Sequence, residues 1–173
     1  YILDVLRGFA RGYSTYEALT AHTLRRGGID GLRALHEYLE ALFARCWIAH
    51  RVCHRGVRII SVVPVTGDYP LTVRAIGKQR AMLSRFAFLR RDGAEVILES
   101  PMAHARAVLH DPRVLTLLWQ RTDVRTKRVP SDLPIGIRRS IANLLWSGGF
   151  LTAWDSAAGL GTDEAPPLIG CGI

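Results

Sequence analysis

The run from Ser84 to Ser100, SRFAFLRRDGAEVILES, limits what the chain can become more than any other stretch. Two segments of alternating apolar and polar residues are joined by Arg91-Asp92-Gly93-Ala94. Tight hairpin loops need positive φ, which makes Asp-Gly a strong short-range hairpin signal. A β-hairpin is predicted here, and an isolated hairpin is marginal in water, so other elements must cover its apolar face. Downstream, Pro101 suits a first helical position and MAHARAVLH reads as a helix reaching Asp111-Pro112. There Asp can cap and Pro can start a further helix, RVLTLLWQR. After the polar stretch RTDVRTKRVPSDLP, a last helix sets Ile137, Ile141, Leu144 and Leu145 on one face and stops at Gly148-Gly149. The predicted order is strand, strand, helix, helix, helix, with Ile59–Pro64 able to join the sheet as a third strand.

The upstream half follows a different period. Ile2, Leu3, Val5, Leu6 and Phe9 form the apolar face of a first helix. Ser14-Thr15-Tyr16-Glu17 has the capping-box spacing and opens a second helix, Tyr16 to Arg26, ended by Gly27-Gly28. Asp30 caps a third, carrying Leu32, Leu35, Leu39, Leu42 and Phe43 at helical spacing. From Trp47 the Val- and Ile-rich run WIAHRVCHRGVRIISVVPV turns at His54-Arg55-Gly56 and reads as a hairpin, the wing of a helix-turn-helix. The expected fold class is α+β, with tandem winged helix-turn-helix modules. A first module spans 1–66, a linker 67–80, a second module of small antiparallel sheet plus three helices 81–154, and a flexible tail 155–173.

The formal net charge of +8 raises nucleic acid, acidic peptides and anionic membranes as partners. The charge is spread unevenly, however, and the last 34 residues carry no base. Arginine outnumbers lysine 21 to 2, which reads first as coding bias and only then as a preference for bidentate contacts. Cys46, Cys53 and Cys171 are odd in number and lack a disulfide framework, so a reducing cytoplasm is expected. No segment approaches the 18 apolar residues of a membrane span.

Several constellations invite chemistry. Cys46, His50, Cys53 and His54 are zinc-ligand types within nine residues, but their spacing fits no standard finger. The cysteines therefore read as small core hydrophobes and the histidines as hairpin surface, with no metal expected. His104 and His110, with Glu99, Ser100 and Asp111 nearby, suggest a hydrolytic triad, yet no glycine elbow surrounds Ser100 and a helix end with a cap explains His110-Asp111-Pro112. Phosphate-binding glycine loops are absent, since GGID and SGGF have neither required spacing. Duplex DNA binding is weakened by Glu37 and Glu40 on the third helix, although Arg138, Arg139 and Asn143 on the last helix and Arg125, Lys127 and Arg128 before it would serve. Trp119, Trp146 and Trp154 could form an apolar patch for another subunit.

The phrases LRRDG and LESP in the hairpin, HDPR at His110–Arg113, and LLWSGGFL at Leu144–Leu151 resemble the N-terminal region of SagB-type, or McbC-like, azoline dehydrogenases. The resemblance covers roughly residues 84–154. It implies a place beside FMN-dependent enzymes that oxidise thiazolines and oxazolines in ribosomally made peptides. It also implies a second module built like a RiPP recognition element, a winged-helix peptide clamp. In that family the Gly-Phe-Leu segment leads through a Trp-x-x-His-Asp stretch into the flavin domain, whereas here Asp163-Glu164-Ala165-Pro166 runs on to LIGCGI. No catalytic or FMN-binding residue carries over, and the flavin domain is expected to be absent.

The expected function is thus non-catalytic: recognition of a precursor peptide's leader, or docking of a separate flavin dehydrogenase or cyclodehydratase subunit, with a winged-helix DNA regulator as the alternative. A leader strand would add to Val96, Ile97, Leu98 and Glu99, provided these form the sheet edge, and Arg138, Arg139 and Asn143 would line the groove.

Overall fold

The computed structural model describes residues 7, 15–77, 80–119, 132–155, 160 and 161. The helix expected over the first twelve residues, the loop with Arg125, Lys127 and Arg128, and most of the expected tail lie outside the described residues.

Helix α1 (Tyr16–Ala44) is two helical arms joined at a kink, because Gly28, at φ 60° and ψ −153°, leaves helical geometry between them. Its N-cap is Thr15, whose hydroxyl accepts from the Ala18 N–H at 3.1 Å. The expected Ser14–Glu17 capping box is therefore displaced by one residue: Ala18, which has no side chain to reach back, occupies the third helical position. Leu19, Leu35 and Leu39 close the two arms on each other as a small apolar cluster.

Strands β1 (His50–His54) and β2 (Val57–Pro64) form the expected hairpin around Arg55-Gly56. Strand β3 (Ala81–Leu83) precedes the second hairpin, β4 (Phe88–Asp92) and β5 (Glu95–Glu99). Its two-residue loop is Gly93-Ala94, one position later than Asp-Gly, with Gly93 at φ 58°. Glycine at the first loop position is what a type II′ turn asks for.

The run expected to continue as a helix after Pro101 is instead strand β6 (Ala105–Leu109). It sits between β2 and β5 in a five-stranded antiparallel sheet of order β1-β2-β6-β5-β4. The physical reason is burial in the sheet centre, where pairing on both sides overrides the helical preference of its alanines. Ile60, Val62, Leu98, Ala107 and Leu109 line one side of this sheet, each at most 7% exposed. Helices α2 (Arg113–Trp119) and α3 (Ile135–Ser147) follow, and Val114, Leu117, Ile141, Leu144 and Leu145 join the same core.

A second small sheet of order β3-β7-β8 completes the fold, with β7 at Leu151–Asp155 and β8 at Leu160–Gly161. The architecture is mixed α and β. It departs from two separate modules, because β2 and β6, on opposite sides of residues 67–80, pair directly. Nor is that segment a loose linker, since Tyr69 is 2% exposed within the main core. Among the described residues no helix is long and apolar enough to cross a membrane.

Candidate functional site

Val96–Glu99 does not form an edge. Strand β5 pairs with β4 along its length and with β6 over Val96–Leu98, so it lies inside the sheet and offers no open edge for a further strand. Leu98 is fully buried and Ile97 nearly so, while Val96 packs on the main core. The Glu99 carboxylate is engaged by the Arg90 guanidinium at 2.9 and 3.0 Å, which holds its pKa below the usual carboxylate range. Arg90 also reaches Asp92 at 3.0 Å, completing a surface ion-pair cluster on the hairpin.

The open side of this hairpin is β4. Among the described residues it pairs only with β5, and Phe88 and Leu89 are 49% and 38% exposed. In a hairpin closed by a two-residue loop, Asp92 and Glu95 exchange hydrogen bonds. The alternate residues Leu89 and Arg91 then turn their N–H groups toward the open edge.

Arg138, Arg139 and Asn143 all lie on α3 but do different things. Helix α3 packs against β1 and β2, at the other end of the sheet from β4 and β5, so the structure does not bring the three together with Val96–Glu99 in one groove. Asn143 accepts from the Ile76 N–H at 3.2 Å through Oδ1. One turn on, Ser147 Oγ accepts from the Arg74 N–H at 2.7 Å. This pair fastens the chain's own segment 74–76 along α3, and Asn143 is thereby committed. Arg139 is exposed.

Arg138 is the exception to the usual rule for arginine: it is 8% exposed, and among the described residues its Nε and Nη1 have no hydrogen-bond partner. It lines a pocket with Leu117 and Leu118 of α2, Ile141 and Leu145 of α3, and Leu151 at the start of β7, enclosing about 350 Å³ of atom-free space that includes open solvent. Guanidinium N–H groups buried without an acceptor are costly, since nothing repays their desolvation. Its position follows from helical spacing, because 138, 141, 142 and 145 fall on one face of α3. Sequence reasoning placed Arg138 in the lining of a peptide-binding groove, and the apolar residues at 141, 142 and 145 were the signal that its surroundings are aliphatic.

The remaining constellations resolve into structure. Cys46, at φ 57°, lies beyond the end of α1, so it and His50 do not share a helical turn. His50 is not hairpin surface: its Nδ1 is 2.9 Å from the Tyr69 hydroxyl, and its ring lies 4.9 Å from that of Phe43. Burial lowers its pKa to about 4. Among the described residues no group of three or more His, Cys, Asp or Glu is placed to hold a metal ion.

His104 and His110 flank β6 rather than share a helix. Asp111 is taken by Arg113, accepting from its backbone N–H at 2.9 Å and its guanidinium at 2.7 Å, and Ser100 Oγ accepts from the Met102 N–H. Instead His110 Nε2 meets Ser61 Oγ at 2.9 Å, a contact across 49 residues that no local pattern announces, and Ser61 also accepts from Arg51 Nε–H at 3.1 Å. Ser61 is 5% exposed, and no carboxylate hydrogen-bonds His110 among the described residues, so this pair lacks both access and an orienting acid. Trp146 and Trp154 are half-buried, the side chain of Trp119 lies outside what is described, and Trp47 is 74% exposed.

Residues 81–145 match the model of the family described as cyanobactin oxidase ThcOx. The match runs from β3 through the β4–β5 hairpin, β6 and α2 to the pocket face of α3. Over this stretch the chain is similar to enzymes that modify ribosomally made peptides, at a level that does not single out the SagB or McbC type. No curated protein matches the chain. The pocket does not suit FMN, the cofactor implied by the resemblance to azoline dehydrogenases: one guanidinium among aliphatic side chains offers neither a cradle of backbone N–H groups for a phosphate nor polar partners for a flavin ring.

Proposed function

We propose that this chain serves a peptide-oxidising system as its recognition part, binding the leader of a ribosomally made precursor or docking the enzyme subunits that act on it. The observation that carries this is the ThcOx match, because the matched stretch includes a hairpin edge whose Phe88 and Leu89 are exposed. The second half then acts in the manner of a RiPP recognition element, and an azoline dehydrogenase of the SagB type, with its FMN on a flavin domain or subunit outside the described residues, performs the chemistry. The receiving strand is β4, not β5. An extended peptide pairs with the outward N–H and C=O groups of Leu89 and Arg91, while Phe88 and Leu89 supply apolar contacts.

Affinity capture from host lysate, in the presence of competing duplex DNA, tests the assignment when precursor peptides are identified by mass spectrometry. Replacing Arg91 by proline removes one outward N–H without breaking the β5 ladder, which an edge strand tolerates. Arg91→Pro is expected to lower precursor capture at least about tenfold, the equivalent of roughly one hydrogen bond at the edge, while Arg91→Ala retains most of it. Capture unchanged by Arg91→Pro overturns β4 as the receiving strand. Recovery of DNA with no precursor overturns the function.

A further inference from the structure

The residues of β4 differ in what they offer a partner along the open edge. Leu89 and Arg91 stand opposite Leu98 and Val96, so their side chains share the face of the hairpin that turns toward the main core. Both are exposed, and among the described residues Arg91 has no carboxylate paired to it. Phe88, Arg90 and Asp92 alternate with them on the other face. There the Arg90 guanidinium is shared between the carboxylates of Asp92 and Glu99, so a further carboxylate arriving beside it meets Asp92 rather than a free cation. The edge is therefore cationic on one face near the turn, closed to anions on the other, and apolar on both near the start of the strand.

A strand added here meets these residues in a fixed order. Leu89 and Arg91 hold the outward N–H and C=O groups, so each makes a hydrogen-bonded pair with one residue of an antiparallel partner, whose side chain stands on the same face. Parallel addition spends the same groups on slanted and slightly weaker bonds. From the N-terminus of the antiparallel partner, successive residues lie opposite Arg91, Arg90, Leu89 and Phe88. An acidic residue suits the first position and apolar residues the third and fourth, while a carboxylate at the second is repelled by Asp92.

We infer that β4 selects an extended peptide segment lying antiparallel to it, with the pattern acidic, non-acidic, apolar, apolar from N- to C-terminus. The inference rests on the peptide-recognition reading above and gives that edge its specificity. Backbone pairing supplies affinity that any extended segment shares, and the ordered charge and apolar positions set direction and register. A slip by one residue sends every side chain to the opposite face, where its partner is the wrong one.

The full chain, isotopically labelled, is titrated with two capped threonine-rich octapeptides, and the Leu89 and Arg91 amide signals report binding. One peptide carries Glu-Thr-Val-Val at its centre, and the other carries the same residues reversed, Val-Val-Thr-Glu. The first is expected to bind about three- to tenfold more tightly, as a few small cross-strand contributions imply. Arg91→Ala removes only a solvent-exposed pair and is expected to cost the first peptide less than about twofold. Arg91→Glu sets like charges opposite each other and is expected to cost about three- to tenfold, recovered when the glutamate of the peptide is replaced by lysine. Failure of both peptides to move either amide overturns the inference, and so does the absence of recovery with the lysine peptide. Equal movement by the two peptides removes the pattern and leaves β4 as the receiving strand. Selective binding by a chain that captures no precursor keeps the pattern and removes the precursor as its partner.

Discussion

His50 shows how one side chain can tie a connecting segment to a fold. Its ring is packed against Phe43 and hydrogen-bonded to Tyr69, which brings the 67–80 segment onto the end of α1 and the first strand. Burial depresses its pKa from 6.5 to about 4, so the folded protein holds the neutral ring where the unfolded chain binds a proton. Between those values the unfolded state carries more protons, and stability falls as pH falls from about 6.5 toward 4, by on the order of 3 kcal/mol in total. Above pH 6.5 this contribution is fully present. Urea unfolding across that window is expected to show the slope, and His50→Phe to flatten it; a slope unchanged by the substitution would assign it to other groups. The sequence signalled the residue but not its role, because the zinc-like spacing of Cys46, His50, Cys53 and His54 drew attention while the actual partner, Tyr69, lies 19 positions away.

Both long helices end in the same hydrogen-bond pattern, built from different residues. At the end of α1 the Cys46 N–H donates to the Phe43 carbonyl at 2.8 Å and the Trp47 N–H to that of Leu42 at 3.0 Å. At the end of α3 the Gly149 N–H donates to Trp146 at 3.1 Å and the Phe150 N–H to Leu145 at 3.0 Å. This is the Schellman arrangement, whose turning residue is left-handed. Gly149, at φ 81°, meets that requirement, and a Cβ there would come within 3.2 Å of the Ala103 Cα and the Met102 carbonyl oxygen. Cys46 adopts φ 57° with a side chain in place. Equilibrium denaturation is therefore expected to move in opposite directions: Gly149→Ala loses about 2 kcal/mol or more from backbone strain and contact, and Cys46→Gly gains up to about 1 kcal/mol. A neutral Gly149→Ala would mean that the turn rearranges at little cost. The glycines of SGGF, the two hairpins and the kink at Gly28 were legible for the same reason, since each depends on residues close in sequence. Strand β6 was not, because Ala105 and Ala107 favour a helix locally and only β2 and β5, placed by distant residues, make it a strand.

Across the whole molecule, the decisive contact is β2 with β6. It runs from Ile60 opposite Leu109 to Pro64 opposite Ala105 and puts Phe43, Val52, Ile60, Val62 and Tyr69 into one core with Leu98, Ala107, Ile141 and Phe150. A division into modules at 67–80 would cut this core and leave β6 unpaired along one side. The stretch that matches ThcOx begins at residue 81, so it includes β6 without the strand that covers it. Residues 81–155 expressed alone are accordingly expected to lack a cooperative unfolding transition and a dispersed amide spectrum, whereas residues 15–155 retain both. Removing β2 leaves one edge of β6 without a partner and takes Ile60 and Val62 out of the core that Leu98, Ala107 and Leu109 share. A folded 81–155 fragment would show that the β2–β6 seam joins two independent units.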